Sequence, residues 1–449
     1  MKKGENSLKE YAQKLLTAEE AVKVVKSGDW VAYSHFVMFP ETLDRALAMR
    51  KGELKEVKVK TSTGMHPAQV AIMDPEKESF IYHSSFFSHS DRQLGDRKLA
   101  FHIPGNYWEE VPRLYQGYTA RPNVAMLKTT PMDQNGFFNF GTSCSFTHAT
   151  AKMADTVIIE VNKNVPYCLG GKDEKIHISE VDYIVEGDHQ PLLTLPEVTA
   201  SEEDQKIASL IVEEIEDGSC LQLGIGGIPN AVGKIIADSD VKDLGCHSEM
   251  LADAYVDLYE KGKMTGAKKT TDRYKMVYTF AMGSEKLYQF MDNNPVCAAY
   301  PVDYTNDYQV IASNERVVSI NNALQVDLFG QICSESQGYR HISGTGGQLD
   351  FTIGAMLSRG GKGFICLKST RVRQGQLISR IVPTVEGIIT VPRSLAFYVV
   401  TEYGKVLIKG KTTWEIAEAI ISIAHPEFRD ELVEQAQIMG IWTRTNKKI

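Results

Sequence analysis

A glycine-rich turn limits the choice of fold more than any other segment of this chain. Residues 224–229 read Gly-Ile-Gly-Gly-Ile-Pro and follow the short apolar segment 221–223. Glycines let a backbone approach a ligand closely, and the free N–H groups at the start of a helix attract an anion. The pattern lacks the last glycine of a dinucleotide fingerprint and the lysine of an ATP-binding P-loop. It therefore indicates either a phosphate or oxyanion site in an α/β sheet, or a tight turn without a ligand.

Short β-rich segments alternate with helical patterns through most of the chain, which is typical of parallel α/β sheets. In both halves, over residues 20–43 and 210–232, a helix is followed by a glycine, a strand, a loop and a proline that opens a helix. This shared order predicts a weak internal duplication, although two ordinary βα units would give the same pattern. The strands are predicted at 29–34, 57–62, 80–83, 124–129, 156–161 and 220–223, and the main helices at 41–50, 202–215, 414–423 and 427–439.

With 449 residues, the chain is too long for one ordinary domain. The stretch 185–198 contains Gly187, Pro191 and Pro196 in an otherwise unpatterned segment, which predicts domains at 1–190 and 191–449. The 49 basic and 57 acidic side chains give a formal charge of −8 without a basic block. This distribution argues against a nucleic-acid partner and leaves room for a local basic cleft.

The composition also indicates the cellular compartment of the protein. The seven cysteines are scattered singly and their number is odd, which favours reduced thiols over a disulfide framework. The first ten residues lack the apolar core of a signal peptide, and no apolar run approaches the length of a membrane span. We therefore expect a cytoplasmic protein with no membrane partner. The histidines lack ligand spacing, so no metal site is expected.

Glu249 is the candidate nucleophile. It follows the short segment 243–248, and an acid at the end of a strand points into the ligand crevice of an α/β sheet. A carboxylate can itself attack a carbonyl carbon and form a covalent intermediate. The alternative is an acid that stabilises the start of a helix through the helix dipole. The adjacent Cys246 and His247 point to opposite faces of a strand, so they cannot activate one another.

Three further segments carry polar chemistry. A second glycine cluster, Gly344–Asp350, precedes a helical pattern that begins at Phe351, and two glycine turns in one half of the chain favour a shared cleft. The basic segment Lys368–Arg373 suits the phosphates of a nucleotide-bearing cofactor, or is a solvated loop. Glu335 is a second acid in a polar loop, where it serves either a site or a turn.

Together these motifs resemble the acetyl-CoA hydrolase/transferase family of class I CoA-transferases. Within that family the chain is similar to the 4-hydroxybutyrate CoA-transferases and the butyryl-CoA:acetate CoA-transferases. The resemblance covers essentially the whole chain and depends on the order of motifs at 28–31, 135–141, 176–183, 224–232, 247–250, 344–351 and 379–383. It implies two similar α/β domains with mainly parallel sheets, the second of which carries the catalytic glutamate.

The resemblance also implies roles for individual residues. Glu249 matches the catalytic glutamate, and Cys333 departs from the asparagine of many relatives. The implied coenzyme A contacts are Gly224, Ile225, Gly226, Gly227, Ile228, Gly347 and Lys368, and the candidate oxyanion donors are Gly226, Gly346 and Gly347. His35, Phe36 and Met65 are candidates for the acyl pocket, or belong to the core.

The implied activity is transfer of coenzyme A from a short-chain acyl-CoA, butyryl-CoA or 4-hydroxybutyryl-CoA, to a carboxylate such as acetate. The expected mechanism is ping-pong through a glutamyl-CoA thioester, with coenzyme A as a substrate and no tightly bound cofactor. A homodimer or homotetramer is expected. The alternatives are an acyl-CoA hydrolase that uses the same glutamate and a non-catalytic protein that binds coenzyme A. The incomplete fingerprint argues against a nicotinamide-dependent dehydrogenase.

Overall fold

The computed structural model describes residues 2–442. Helices and strands alternate along this part of the chain, as predicted. The α-helices are α1 (Lys2–Lys14), α2 (Ala18–Ala21), α3 (Glu41–Ala48), α4 (Gln69–Met73), α5 (His89–Asp96), α6 (Glu110–Tyr115), α7 (Thr147–Met153), α8 (Glu202–Val212), α9 (Gly227–Ala237), α10 (Asp253–Glu260), α11 (Glu285–Met291), α12 (Val302–Thr305), α13 (Tyr308–Ser313), α14 (Gln348–Leu357), α15 (Thr413–Ser422) and α16 (Pro426–Ile438).

The strands of the described residues are mostly short. They are β1 (Trp30–Tyr33), β2 (Val57–Thr61), β3 (Phe80–Ser84), β4 (Ala100–His102), β5 (Val124–Thr129), β6 (Phe137–Asn139), β7 (Thr156–Val161), β8 (Lys175–His177), β9 (Tyr183–Glu186), β10 (Cys220–Leu223), β11 (Gly245–His247), β12 (Met250–Leu251), β13 (Met276–Tyr278), β14 (Phe280–Ala281), β15 (Cys297–Ala299), β16 (Val317–Asn322), β17 (Gln325–Asp327), β18 (Ile332–Cys333), β19 (Ser336–Gln337), β20 (Arg340–His341), β21 (Lys362–Cys366), β22 (Thr370–Arg373), β23 (Gln376–Ser379), β24 (Ile381–Val382), β25 (Tyr398–Thr401) and β26 (Gly404–Leu407).

The chain divides into two compact units. Of the described residues, the first unit contains 2–196 together with 277–305, and the second contains 197–276 and 306–442. The division therefore differs from the predicted ranges 1–190 and 191–449, because the segment 277–305 returns to the first unit. Backbone hydrogen bonds hold this segment there: Ala299 N–H donates to Leu169 O and Gly171 N–H donates to Ala299 O, both at 3.0 Å. Such long-range pairing leaves no local pattern in the sequence.

The first unit is built on a seven-stranded sheet in the order β4–β3–β2–β1–β5–β7–β9. All neighbouring strands in it are parallel. Its interior strand β5 is buried at all six positions, which is expected of a parallel strand covered on both faces. The core includes Val31 of β1, Leu43 of α3 and Phe80 of β3.

The second unit repeats this arrangement. Six of its strands lie in the order β11–β10–β16–β21–β25–β26, in which only the last pair is antiparallel. The order β11–β10–β16–β21–β25 corresponds to β2–β1–β5–β7–β9 of the first unit. A second core packs α15 and α16 of this unit against residues such as Val326, Ile365 and Val399. Two similar α/β units with mainly parallel sheets, as the sequence predicts, are confirmed.

Local signals set most element ends to within a few residues. The capping box predicted at the start of α2 is present, with Thr17 Oγ1 accepting from Glu20 N–H at 3.2 Å. This helix stops at Ala21 and continues as a short 3₁₀ turn. Helix α9 begins at Gly227, two residues before the proline that was expected to open it, because proline fits anywhere in the first turn, where no N–H donor is needed.

The structure also bears on the cysteine and membrane predictions. All seven cysteines are buried and none takes part in a disulfide. No helix within residues 2–442 is long and apolar enough to cross a bilayer. Among the same residues, no group of three or more His, Cys, Asp or Glu side chains is arranged to hold a metal ion.

Replacement of Phe364 by alanine is expected to destabilise the second unit. Phe364 of β21 is completely buried and its ring centroid lies 5.0 Å from that of Tyr398. Truncation of a buried phenylalanine leaves a cavity and lowers the free energy of unfolding by about 3–5 kcal/mol. Denaturant unfolding monitored by fluorescence measures this change. Ile438→Ala is the control, because that side chain is 71% exposed, and equal effects of the two substitutions would contradict the packing described here.

Candidate active site

Glu249 lies two residues after strand β11 of the second unit. Strand β11 ends at His247, and the next residue, Ser248, places its hydroxyl 2.8 Å from the carbonyl oxygen of Met250 and 3.4 Å from that of Leu223. Leu223 is the last residue of β10 and immediately precedes the glycine turn. Ser248 therefore links the segment that carries Glu249 to the glycine turn, at the edge of the sheet where α/β proteins bind ligands.

Two other segments of the second unit reach the Glu249 carboxylate. Asn306 Nδ2 donates to Glu249 Oε2 at 2.7 Å and lies 3.2 Å from Asp350 Oδ2 at the start of α14. The backbone N–H of Gly347 also donates to the Glu249 carboxylate. The carboxylate is thus held by one side-chain donor and one backbone donor.

The environment of Glu249 changes its acidity. Burial raises the pKa of Glu249 to about 7, whereas the hydrogen bonds from Asn306 and Gly347 lower it. Desolvation disfavours the charged form of an acid, and donors to the carboxylate favour it. A group with this pKa exists in both protonation states near neutral pH, and its anion is poorly solvated. Such perturbed groups in a crevice are typical of functional sites.

Close packing explains the glycine at position 347. A Cβ atom built on Gly347 would overlap Glu249 Oε2 and Asn306 Nδ2. The preceding residue, Gly346, has φ of 54°, in the left-handed region that favours glycine. Two of the three glycines of the second cluster, Gly346 and Gly347, are therefore favoured by the backbone path beside the carboxylate.

Glu335 supports the same loop. Its carboxylate accepts from Thr390 Oγ1 at 3.0 Å and from Thr345 Oγ1 at 3.5 Å. Its backbone oxygen accepts from Ile342 N–H at 2.8 Å. Burial raises the pKa of Glu335, and the two threonine hydroxyls lower it. Of the two readings left open by the sequence, these contacts favour a structural acid that fixes the loop before Gly346.

The first glycine turn, residues 224–228, sits at the carboxyl end of β10. Gly226 has φ of 114°, and α9 begins at the next residue. A Cβ on Gly227 would overlap Asp204 Oδ2, so the turn packs against the start of α8. Ile225 is 42% exposed, whereas Ile228 is buried in the core. Of the two isoleucines, only Ile225 is therefore available to a ligand.

Lys368 lies beside this turn. Its Nζ donates to Ser201 Oγ at 2.9 Å and is 3.5 Å from Asp204 Oδ1 and 3.8 Å from Glu203 Oε2. The structure thus brings Lys368 and the glycine turn together through Asp204. The charge of Lys368 is already shared between two carboxylates.

Sequence reasoning missed several polar residues at this edge. Asn306 follows a four-residue helix and matches no motif, so only the fold places it against Glu249. Gln222 Oε1 accepts from Ser319 Oγ at 2.8 Å and from Asn321 Nδ2 at 3.0 Å, across the neighbouring strands β10 and β16. The available signal was a glutamine between two leucines in a buried strand, together with polar residues at alternate positions of the next strand.

The acyl-pocket candidates belong to the first unit, whereas Glu249 belongs to the second. His35 is buried, burial lowers its pKa to about 3, and its ring lies 3.9 Å from that of Phe146. Phe36 has a positive φ of 57° and stacks on Phe280 at 3.7 Å. Met65 is half-buried. Their proposed role in acyl recognition stays a prediction.

Comparison with known proteins identifies the family. Its N-terminal and C-terminal domain models match residues 1–196 and 283–436. The butyryl-CoA:acetate CoA-transferase of Anaerostipes caccae is 48% identical over 98% of this chain and 99% of its own length. The 4-hydroxybutyrate coenzyme A transferase of Clostridium kluyveri is 40% identical over 95% of this chain and 97% of its own length. The crystal structure of RipA from Yersinia pestis superposes with a TM-score of 0.89 at 37% identity, covering 97% of this chain and 99% of RipA. The chain therefore belongs to the acetyl-CoA hydrolase/transferase family, as its motifs predicted.

Proposed function

We propose that this enzyme transfers coenzyme A between a short-chain acyl-CoA and a carboxylate acceptor. The donor is butyryl-CoA or 4-hydroxybutyryl-CoA, and acetate is the acceptor. Curated relatives that are 40–48% identical over nearly the whole chain are CoA-transferases by name, which supports this class. The observation that carries the proposal is the Glu249 carboxylate, held by Asn306 and the Gly347 N–H at the edge of a parallel sheet.

The first half-reaction begins with attack of the Glu249 carboxylate on the thioester carbonyl carbon. The C–S bond breaks, coenzyme A leaves as its thiolate, and a mixed acyl–glutamyl anhydride forms. The thiolate then attacks the glutamyl carbonyl carbon of the anhydride. This step releases the free carboxylic acid as its anion and leaves a glutamyl-CoA thioester on the enzyme.

The second half-reaction runs the same steps in reverse with a different acid. Acetate attacks the glutamyl-CoA carbonyl carbon, and the thiolate leaves again to give an acetyl–glutamyl anhydride. Thiolate attack on the acetyl carbonyl carbon yields acetyl-CoA and regenerates the Glu249 carboxylate. One thioester is exchanged for another, so no ATP is consumed.

The surrounding residues would supply orientation and charge stabilisation. Asn306 fixes the Glu249 carboxylate by its bond to Oε2. Precise orientation of a bound nucleophile is worth about 7–11 kcal/mol of the activation barrier. The backbone N–H groups at Gly226, Gly346 and Gly347 are the candidate donors to the tetrahedral oxyanion, and one such donor contributes about 3–4 kcal/mol. Water has to be excluded, because it would hydrolyse both covalent intermediates.

Residues 224–228 are the proposed coenzyme A loop. The loop ends at the start of α9, where unpaired N–H groups favour an anionic or carbonyl oxygen. The small glycines let pantetheine amides approach the backbone, and Ile225 is exposed to contact the chain. Coenzyme A is a substrate here, since it enters in the acyl-CoA donor and leaves in the acetyl-CoA product.

Acyl-CoA hydrolysis is the second candidate function. The Candida albicans relative named acetyl-CoA hydrolase is 24% identical over 98% of this chain, and water can intercept the same glutamyl intermediates. A carboxylate acceptor separates the two activities, because only a transferase forms a new thioester from it.

Butyryl-CoA incubated with the purified enzyme should yield acetyl-CoA only when acetate is present. Chromatography of all CoA species measures this exchange. With butyryl-CoA alone, mass spectrometry of the peptide that contains Glu249 should show covalently attached coenzyme A. Release of free CoA at one rate with or without acetate would instead establish a hydrolase. Binding of CoA with no adduct and no turnover of either acyl donor would indicate a non-catalytic protein.

Substitution of Glu249 tests the nucleophile. Glu249→Ala should lower the rate of acetyl-CoA formation by on the order of 10⁵-fold or more, because the positioned nucleophile is lost. Glu249→Asp withdraws the carboxylate by one methylene and should lower the rate about 10²-fold, the usual effect of a misplacement near 1 Å. Glu434→Ala removes an exposed carboxylate of the same unit and serves as the control. Transfer at the wild-type rate by Glu249→Ala would refute the mechanism.

The raised pKa of Glu249 predicts a pH dependence. Because the carboxylate reacts as the anion and its pKa is about 7, kcat/KM should rise with pH through 7 and level off above it. Asn306→Ala removes a donor that lowers this pKa, so the midpoint should move to higher pH. Gln309→Ala, at an exposed position nearby in sequence, is the control. The profile is measured with the free enzyme and low butyryl-CoA. A midpoint near 4.5 for the wild type would contradict the buried state of Glu249.

A further inference from the structure

An arginine-lined cavity of about 310 Å³ lies in the second unit, apart from Glu249 and its partners. Four guanidinium groups line it, from Arg340, Arg371, Arg373 and Arg380, and Glu386 is the one acidic residue in its wall. The lining therefore has a formal net charge of +3. A concave surface with this excess of cations is suited to a multiply charged anion.

Three of these four arginines form no ion pair with a carboxylate among the described residues. Within residues 2–442, no carboxylate oxygen lies within 4.0 Å of the guanidinium groups of Arg371, Arg373 or Arg380. The Nε of Arg380 is buried and has no hydrogen-bond partner among the described residues. Burial lowers the pKa of Arg380, the charge of Arg371 lowers it further, and Glu402 raises it. Holding like charges together is unfavourable, and a bound anion would relieve that repulsion.

The cavity stands at the same sheet edge as the glycine turn. One wall contains Leu324 and Gln325, just beyond the end of β16. The lining also contains Arg371 and Arg373 of β22, which follows the end of β21. In the sheet, β11, β10, β16 and β21 are consecutive neighbours. With about 4.8 Å between strands, the cavity lies roughly 10–15 Å along the edge from the end of β11, where Glu249 stands.

We propose that this arginine pocket binds the 3′-phosphoadenosine diphosphate end of the coenzyme A substrate. The inference rests on the proposed function and names the part of the substrate that the pocket takes. Coenzyme A carries its thiol and its phosphates at opposite ends of the pantetheine chain, so its phosphates must bind at a distance from Glu249. Arginine suits this task because its planar guanidinium binds phosphate oxygens through two parallel hydrogen bonds.

Two neighbouring residues, Tyr339 and Lys368, help to assign the contacts of the adenine base and of the phosphates. Tyr339 is fully exposed between β19 and β20, directly beside the lining residues Gly338 and Arg340, where its ring can stack on an adenine base. Lys368 is less suited to the phosphates, because Glu203 and Asp204 already share its charge. Within the basic segment 368–373, the phosphate contacts therefore fall to Arg371 and Arg373.

The test compares butyryl-CoA with butyryl-pantetheine, which has the thioester but lacks the nucleotide. Arg371→Gln, Arg380→Gln and the exposed Arg373→Gln should each lower kcat/KM for butyryl-CoA by roughly 10-fold to 100-fold, chiefly through KM, since each removes a hydrogen bond between charged groups. The same variants should leave kcat/KM for butyryl-pantetheine unchanged. Arg359→Gln, a surface arginine paired with Glu315, is the matched control. Equal losses with both substrates, or no loss with either, would overturn the proposal.

Direct binding separates this proposal from the proposed function. Calorimetry with adenosine 3′,5′-bisphosphate should detect binding to the wild type that competes with coenzyme A and is lost in Arg371→Gln. If the wild type transfers no coenzyme A but this competitive binding is observed, the proposed function fails and the pocket assignment stands. If inorganic pyrophosphate binds at the arginines without competing with coenzyme A, the pocket serves a free phosphate compound and the proposal is wrong. Absence of adenosine 3′,5′-bisphosphate binding also overturns it.

Discussion

Desolvation of the Glu249 carboxylate dictates the composition of the loops around it. A buried carboxylate loses several kcal/mol of hydration unless donors replace the water. Asn306 and the Gly347 N–H replace only part of that hydration. Burial therefore still raises the pKa of Glu249 to about 7. The backbone reaches the carboxylate because position 347 has no Cβ. The threonine contacts of Glu335 then hold the loop that delivers Gly347 in place.

The sequence predicted those parts of the fold and site that depend on local pattern. Strand β10 was predicted at its observed limits, and α15 and α16 within one residue at each end, because periodicity and punctuation are local signals. The strand-end position of Glu249 followed from the same reasoning. Asn306 lies 57 residues along the chain from Glu249, and nothing near it in sequence marks that contact. The return of 277–305 to the first unit is likewise a product of tertiary pairing.

The two units share a strand order and differ at the residues that follow the strands. In the second unit, β10 leads into the glycine turn and Glu249 stands two residues after β11. In the first unit, β1 leads into Ser34 and His35, and the position two residues after β2 is Thr63. The side chain of threonine at that position has no carboxylate group. Under the proposed mechanism, the nucleophile therefore belongs to only one of two units with a similar scaffold, which illustrates that function resides in the site and not in the fold.

Because every cysteine is buried, thiol labelling can be used to follow unfolding of the protein. Thiol reagents react with accessible thiolates, so all seven sulfurs are shielded while the native packing persists. Cys144, Cys168 and Cys297 belong to the first unit, and Cys220, Cys246, Cys333 and Cys366 belong to the second. The seven buried cysteines therefore serve as natural labelling sites, and they are distributed over both units. Alkylation followed by peptide mapping would reveal which half exposes its interior first, without any engineered probe.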